Sequence, residues 1–385
     1  MNDGTKRERI AIVCETPFQL LNYLNFFTMG EEYQKADKDL FILEENIEPS
    51  VVCAVKEKRI FNQVVTYKYT SYDDWGNQRP SKINGIISVV YKAWRMVLPK
   101  KYIKKICGNK NNEDEYYNYL FCSFPTPIAV AFTMQFPKIK IVLFDDGIGT
   151  YIGGISLPKS PKRDILYWLK GTESPWSKIR YLYVNNVDYC QNINSYIIKQ
   201  IPAIRNAESA IVSQINDIFG YKPCELYNEN KIIFFTQPLS KDEKHLCIDA
   251  VVIQVLETLG EGCVVRKHPR QSRYMAISIP IDESGGLWEL ICSRQIEESH
   301  VLIGCFSTAQ FSPKFLYDKE PWVVFTYNLY DGLFDEKAAG RMDKMVQTLK
   351  DTYEDKQKII VAASEEDLCE KMRMINDNIK SNAID

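Results

Sequence analysis

Short apolar runs bounded by turn-forming residues recur along the chain, and their length is the first guide to its fold. Ile10-Ala11-Ile12-Val13-Cys14 shows no polar alternation, which predicts a strand buried on both faces, as in a parallel sheet. Glu15-Thr16-Pro17 then opens a helical spacing of Phe18, Leu20, Leu21 and Leu24. Thr16 suits the N-cap and Pro17 the first helical position. Leu40–Leu43, Val51–Val55, Tyr119–Cys122 and Lys138–Phe144 continue the strand-like series, interrupted by a lysine-rich, aromatic interval from Ile83 to Lys110.

A second series begins at Lys231–Phe235, after the polar, proline-containing stretch Tyr221–Asn230, which reads as a linker. It continues through Cys263–Val265, His300–Gly304 and Trp322–Phe325, with a helical stretch Asp242–Leu259 between the first two strands. Strands alternating with helices in both halves predict an α/β protein with two Rossmann-like parallel-sheet domains facing a cleft. The expected domains are residues 1–225 and 226–385, with the last helix free to pack back on the first. Two cores also suit the length of 385 residues, since single cores stop growing near ~250–300 residues.

Composition changes this picture little. Hydrophobic residues make up 45% and charged residues 25%, a soluble globular balance rather than a disordered one. The net charge of -2 excludes a general nucleic-acid binder, which must neutralise many phosphates. Aromatic residues reach 12%, with 23 Tyr, enough to fill cores and to line a groove. The eleven cysteines are odd in number, contain no CxxC pair and lie partly within apolar runs, so they read as buried thiols in a reducing compartment. No apolar run reaches the ~18 residues of a membrane span, and the N-terminus lacks a signal-peptide pattern. The expected location is the cytoplasm.

Candidate chemistry sits where strands end. Cys263-Val264-Val265-Arg266-Lys267-His268-Pro269-Arg270-Gln271 runs from a strand into a His-Pro turn, and in doubly wound sheets ligands bind at the carboxyl ends of strands. Proline restricts the residue before it, which makes a firm pedestal for an imidazole that titrates near neutrality. The plain alternative is a surface histidine. Phe144-Asp145-Asp146-Gly147 places two carboxylates after another strand; they suit a base or a sugar ligand, and equally an ordinary turn. Thr236-Gln237-Pro238-Leu239-Ser240-Lys241-Asp242-Glu243 ends a strand and caps the next helix, with Asp242 as N-cap, as an acid at the cleft, or as both. Ser307 and Thr308 lie at the start of a helix after a strand, a seat for phosphate or simply a cap. Glu289, on a helix between His268 and that turn, can reach a ribose diol or lie solvated.

Together, Cys14-Glu15-Thr16-Pro17-Phe18-Gln19, Phe144-Asp145-Asp146-Gly147, Thr236–Glu243 and His268-Pro269-Arg270-Gln271 resemble bacterial sialyltransferases, most closely glycosyltransferase family 52, over the chain from its start to about Phe325. That family includes lipooligosaccharide α-2,3-sialyltransferases and related capsule enzymes. The resemblance implies a GT-B-like fold and a metal-independent, inverting transfer from CMP-sialic acid to a galactose-type hydroxyl, with no cofactor. It implies that His268 protonates or hydrogen-bonds the leaving CMP phosphate, that Ser307 and Thr308 hold it, and that Glu289 contacts the nucleotide. Gln237, Pro269, Arg270, Asp146 and Gly147 join them as substrate- or nucleotide-binding candidates. Asp242 is the expected base and Asp145 its competitor.

The residues leave other readings open: a CMP-Kdo transferase or UDP-sugar epimerase on the same scaffold, or a non-catalytic nucleotide- or glycan-binding subunit. No DxD-type metal motif follows a strand apart from Asp145-Asp146, whose adjacent glycine suits a turn. Cations beside aromatic and aliphatic residues at Leu98–Ile106 and Lys159–Lys170 suggest either a peripheral contact with anionic lipid, as a lipid-linked acceptor would favour, or a solvated basic face. A homodimer is compatible with the sequence, and a nucleic-acid partner is not expected.

Overall fold

A computed structural model describes residues 7–70, 82–108, 116–153, 161–190, 196–237, 243–260, 262–268, 277–329 and 334–382. The chain divides into two compact units, Met1–Gly220 and Tyr221–Asp385.

In the first unit, the apolar runs become the buried strands β1 (Arg9–Cys14), β2 (Asp37–Leu43), β3 (Gln63–Tyr67), β4 (Tyr119–Cys122), β5 (Lys140–Phe144), β6 (Ile179–Val184) and β7 (Ile197–Gln200). They form one parallel sheet in the order β3-β2-β1-β4-β5-β6-β7. Its helices are α1 (Pro17–Met29), α2 (Pro49–Lys58), α3 (Lys82–Val97), α4 (Pro99–Cys107), α5 (Pro127–Gln135), α6 (Ile148–Gly153), α7 (Pro161–Leu169) and α8 (Ser209–Phe219). Helix α1 starts as its sequence dictates: Thr16 Oγ1 accepts the Gln19 N–H and Pro17 occupies the first turn. The aromatic content fills this core. Phe26 of α1 packs on Phe144 and Tyr183, with ring centroids 5.1 and 4.8 Å away, an arrangement worth more than its area alone.

Val51–Val55, expected as a strand, is part of α2. The reason is visible in the flanks. Pro49 opens a first turn, and Val51, Val52 and Val55 bury one helical face while Cys53 points outward, a pattern a short apolar run does not separate from a strand.

The second unit repeats the plan. Strands β8 (Ile232–Phe235), β9 (Cys263–Arg266), β10 (Ile281–Asp282), β11 (Val301–Gly304), β12 (Trp322–Phe325) and β13 (Ile359–Val361) form a parallel sheet in the order β10-β9-β8-β11-β12-β13. The helices are α9 (Leu226–Glu229), α10 (Glu243–Leu259), α11 (Trp288–Gln295), α12 (Thr308–Tyr317), α13 (Glu336–Thr352) and α14 (Glu365–Asn382). The last helix, α14, places Leu368, Met372 and Ile375 in this unit's own core with Val252 and Leu256 of α10.

Tyr221–Asn230, expected as a linker, belongs to this core. Tyr227 is fully buried, its carbonyl lies 2.9 Å from His300 Nε2, and its hydroxyl donates to Asp282 and accepts from Arg266. One buried tyrosine in a polar stretch therefore does the work of an apolar run. Ten of the cysteines are free thiols; among the described residues no helix is long and apolar enough to cross a membrane, and no cluster of metal-ligating side chains occurs.

The Arg266 guanidinium closes the second sheet's edge. It pairs with Asp282 and Gly286 and lies 5.5 Å from the Trp288 ring centroid. Burial pushes the Asp282 carboxyl up, but hydrogen bonds from Ser284 and Tyr227 and the Arg266 charge together hold it below its ordinary value. A carboxyl depressed in the fold stabilises fully above its unfolded pKa of about 3.9 and loses that contribution as pH falls below it. Asp282→Ala is expected to cost about 3–5 kcal/mol by leaving Arg266 buried and unpaired. Chemical denaturation at neutral pH checks this, and a loss under about 1 kcal/mol would contradict it.

Candidate active site

In each sheet the strand order reverses once, between β1 and β4 and between β8 and β11. Ligands of open α/β sheets bind beyond the carboxyl ends of strands at such reversals. The predicted chemistry gathers at these two edges.

In the first unit, Asp145 follows β5 directly and is 1% exposed. Its Oδ1 accepts the Gly147 N–H at 2.8 Å; Oδ2 accepts the Asn185 N–H at 3.1 Å, Asn185 Nδ2 at 3.0 Å and the Tyr151 hydroxyl. Gly147 has a φ of 94°, a conformation that favours glycine and brings its N–H back onto the acid. Burial raises the Asp145 carboxyl above its ordinary value, against the pull of hydrogen bonds from Tyr151, Asn185 and Gly147. Oδ1, with a single hydrogen bond, keeps capacity for a proton.

Asp146 is the exposed member of the pair. Its Oδ1 accepts from Gln19 Nε2 at 2.8 Å, and Gln19 Oε1 in turn accepts the Glu15 N–H at 2.7 Å. One turn on, Asn22 Nδ2 donates to the Asp145 carbonyl at 3.1 Å and Asn22 Oδ1 accepts from Asn185 Nδ2 at 3.1 Å. Gln19 and Asn22, spaced i and i+3 on α1, share one face and so clamp both halves of the Asp-Asp turn. Beside them Glu15, buried at the end of β1, accepts from the Tyr67 and Tyr69 hydroxyls at 2.9 and 2.5 Å.

In the second unit three adjacent strands, β9, β8 and β11, deliver the other candidates. His268 lies two residues beyond β9, half-buried, with its backbone N–H donating to Thr236 Oγ1 at 3.0 Å just past β8. Gln237 follows Thr236, and its Nε2 lies 3.5 Å from the Phe306 carbonyl beyond β11. Ser307 caps α12: its Oγ accepts the Ala309 N–H at 3.3 Å, while Gln310 Oε1 accepts the Ser307 N–H at 3.0 Å. Gly304 leaves room for this, since a Cβ there would lie 3.2 Å from the Phe235 carbonyl and 3.4 Å from Gln310 Oε1. Thr308 is the first residue of the helix, whose positive N-terminal end suits an anion.

Glu289 is buried in the first turn of α11, with Ser312 Oγ of α12 3.5 Å from its Oε1. Burial raises its carboxyl above the ordinary value, against its backbone hydrogen bond, the Arg266 charge and Ser312. The solvated alternative for this acid is thereby removed. Asp242, Pro269 and Arg270 lie outside the described residues. Sequence reasoning gave no role to Gln19 and Thr236, although both lie in the motifs it quoted, and missed Asn22, Tyr151 and Asn185. Gln19 and Asn22 did leave a signal, two amides interrupting the apolar side of α1.

Residues 10–291 match the model of the alpha-2,8-polysialyltransferase family. The chain belongs to that family. A polysialyltransferase-family protein is a glycosyltransferase, with a nucleotide-sugar donor and a glycan acceptor. Family 52 and an α-2,3 linkage, which the sequence resembles, are narrower than this match. Among solved structures, the GT-B domain of a sialyltransferase from Photobacterium damselae aligns with a TM-score of 0.50 and 14% identity, covering 92% of this chain and 99% of that one. A second sialyltransferase structure from that organism aligns at 0.48 and 14% identity, covering 92% and 81%. Arabidopsis thaliana UGT89C1 complexed with UDP-L-rhamnose aligns at 0.49 and 10%, covering 99% and 94%. Identities this low bear on the fold alone, which is GT-B-like. No curated protein matches the chain in sequence.

The clamp on the Asp-Asp turn makes Gln19 the residue that positions Asp146 in this candidate site. Gln19→Glu replaces the N–H that holds Asp146 with a second carboxylate. Loss of a hydrogen bond to a charged group is worth about 1.5–3 kcal/mol, so kcat/KM for the acceptor should fall roughly 10–100-fold. The like charge raises the acids' affinity for protons, which moves the acid limb of the pH–rate profile upward. An unchanged profile, with donor affinity also unchanged, would leave Gln19 a purely structural residue.

Proposed function

We propose that this protein transfers sialic acid from CMP-sialic acid to a glycan hydroxyl, with inversion and without a metal. What supports this reading most is the placement of His268, Gln237, Ser307 and Thr308 on three adjacent strand ends at the reversal of the second sheet, in a chain of the alpha-2,8-polysialyltransferase family. In this reading the second unit binds the donor and the first the acceptor.

A single displacement accounts for the chemistry. The acceptor oxygen attacks the anomeric carbon, the bond to the CMP phosphate oxygen breaks, and its electron pair stays on the phosphate. His268 supplies that oxygen with a proton or a hydrogen bond; the Ser307 and Thr308 hydroxyls and the α12 N-terminus hold the phosphate. With these donors the leaving charge needs no cation, so activity is expected to persist in EDTA. The acceptor proton goes to a carboxylate. Asp145 is assigned this role over Asp242, because its burial-raised proton affinity and the spare capacity of Oδ1 suit a base.

The acceptor has two readings. Resemblance to family 52 points to a terminal galactose-type hydroxyl of a lipooligosaccharide or capsule glycan. The name of the matched family points instead to the 8-hydroxyl of a terminal sialic acid. Assays with lactose-terminated and oligosialic acceptors separate them.

His268→Ala should lower transfer by ~10²–10⁴ with the fold intact by circular dichroism; turnover near wild type would remove the central assignment. Asp145→Asn should abolish transfer while sparing CMP affinity, and wild-type activity should fail on an acid limb lying above the ordinary carboxylate range. A dead Asp242→Asn protein beside an active Asp145→Asn one would reverse that choice. Turnover of CMP-Kdo or UDP-sugars alone, with no CMP released from CMP-sialic acid, would end the proposal.

A further inference from the structure

The two oxygens of Asp145 are filled unequally. Among the described residues Oδ1 accepts one donor, the Gly147 N–H at 2.8 Å, whereas Oδ2 accepts three: the Asn185 N–H at 3.1 Å, Asn185 Nδ2 at 3.0 Å and the Tyr151 hydroxyl. Tyr151 reaches Oδ2 from α6, which begins directly after Gly147. Thr150 fixes that turn, since its Oγ1 accepts the Asp146 N–H at 3.0 Å and its own N–H donates to the Gly147 carbonyl at 2.9 Å.

The direction of the Tyr151 hydroxyl is set by a second contact. Its oxygen accepts the Asn186 N–H at 3.3 Å, and a phenol has one proton to give, so that proton goes to Asp145. The ring is buried and lies 6.4 Å from the Tyr189 ring. Burial, with the Asp145 charge adding to it, raises the Tyr151 phenol well above its ordinary value, which keeps it a donor. Asn185 follows β6 directly and is held in turn, its Nδ2 donating to Asn22 Oδ1 at 3.1 Å and its carbonyl accepting from Gln200 Nε2. The other ionisable groups around this carboxyl are the adjacent Asp146 and the Cys190 thiol, which burial and the Asp145 charge push up to about 12. Helix α1 brings the neutral amides of Gln19 and Asn22.

We propose that Tyr151 is a positioning residue that sets the pH range in which Asp145 works as a base, by holding Oδ2 in the carboxylate form and leaving Oδ1 to take a proton. The proposal rests on the assignment of Asp145 as the base. In the transfer the acceptor's proton passes to Oδ1 as its oxygen bonds the anomeric carbon, and Tyr151 keeps its own proton throughout. Burial of Asp145 favours the protonated acid, and the Tyr151 hydrogen bond is the first of those opposing it. Without that donor the acid holds its proton more tightly.

Tyr151→Phe in the full chain tests this. A base works when deprotonated, so the acid limb of the kcat–pH profile should move upward by about one pH unit, with kcat below the limb falling about tenfold, on the scale of a lost hydrogen bond to a charged group. The plateau at higher pH and KM for donor and acceptor should stay close to wild type. Infrared difference spectra, with the Asp145 carboxyl identified by its loss in Asp145→Asn, should show its titration moving upward without any substrate present. Asn185→Ala, which also removes a donor to Oδ2, should move both readouts the same way and serves if Tyr151→Phe does not fold by circular dichroism. A folded variant with limb and carboxyl titration both unmoved would overturn the inference, as would a fall in kcat equal at every pH, which marks a merely structural role. A carboxyl titration that moves while transfer does not follow it would sustain the hold of Tyr151 on Asp145 and overturn instead the choice of Asp145 as the base.

Discussion

All-parallel pairing is the constraint on which this structure rests. Every strand of a parallel sheet ends on the same side, and crossover helices cover both faces, so side chains just past the strands share one edge whatever their separation in sequence. In the first unit that edge joins Glu15 to Asp145 and Asn185; in the second it joins Thr236 to His268 and Ser307. The reversal of strand order then opens a gap between two diverging crossovers at one point of the edge. Chemistry collects there because backbone ends, amides and helix N-termini are left without sheet partners.

The same edge carries unusual electrostatic costs. Asp145, Glu15 and Glu289 are carboxylates buried beyond strand ends or in a helix start, where an isolated charge is expensive. The fold meets this cost with neutral donors far more than with cations. Asp145 takes amides and a phenol, and Glu15 takes two phenols. These neutral donors lower the proton affinity of Asp145 without cancelling its charge, and burial outweighs them, so its carboxyl stays above the ordinary value. At Asp282 hydrogen bonds from Ser284 and Tyr227, joined by the Arg266 charge, outweigh burial, and the carboxyl is held low.

Much of this was legible in the sequence. The two strand series, the Thr16-Pro17 helix start and the Ser307 cap follow from local rules of burial and hydrogen bonding, and so does the placement of His268 past a strand. Val51–Val55 misled because five apolar residues fit either period, and the decision lay in Pro49 and in which valines found a core. Tyr221–Asn230 misled because composition reports average polarity, whereas one tyrosine in the right register buries the segment. The clamp of Gln19, Asn22 and Asn185 was hidden for a different reason. Its hydrogen bonds span more than a hundred residues of chain, and no local pattern specifies such pairs.

Arg266 makes the last step. Beside His268 in sequence it looks like part of a cationic grip on phosphate, together with Lys267 and Arg270. In the fold its guanidinium turns away, bound to Asp282, Tyr227 and Gly286 and stacked near Trp288. Residues i and i+2 share a face only within a strand; β9 ends at Arg266, so His268, two residues on, is not held to the same side. The charge that sequence proximity offers to a leaving group is therefore already committed to closing the sheet. Near it the described edge carries Lys267, the His268 imidazole, the Ser307 and Thr308 hydroxyls and the start of α12, a set that favours an anion by charge, hydrogen bonding and dipole. In the proposed transfer, directional donors such as these are what a developing charge on a single bridging oxygen requires.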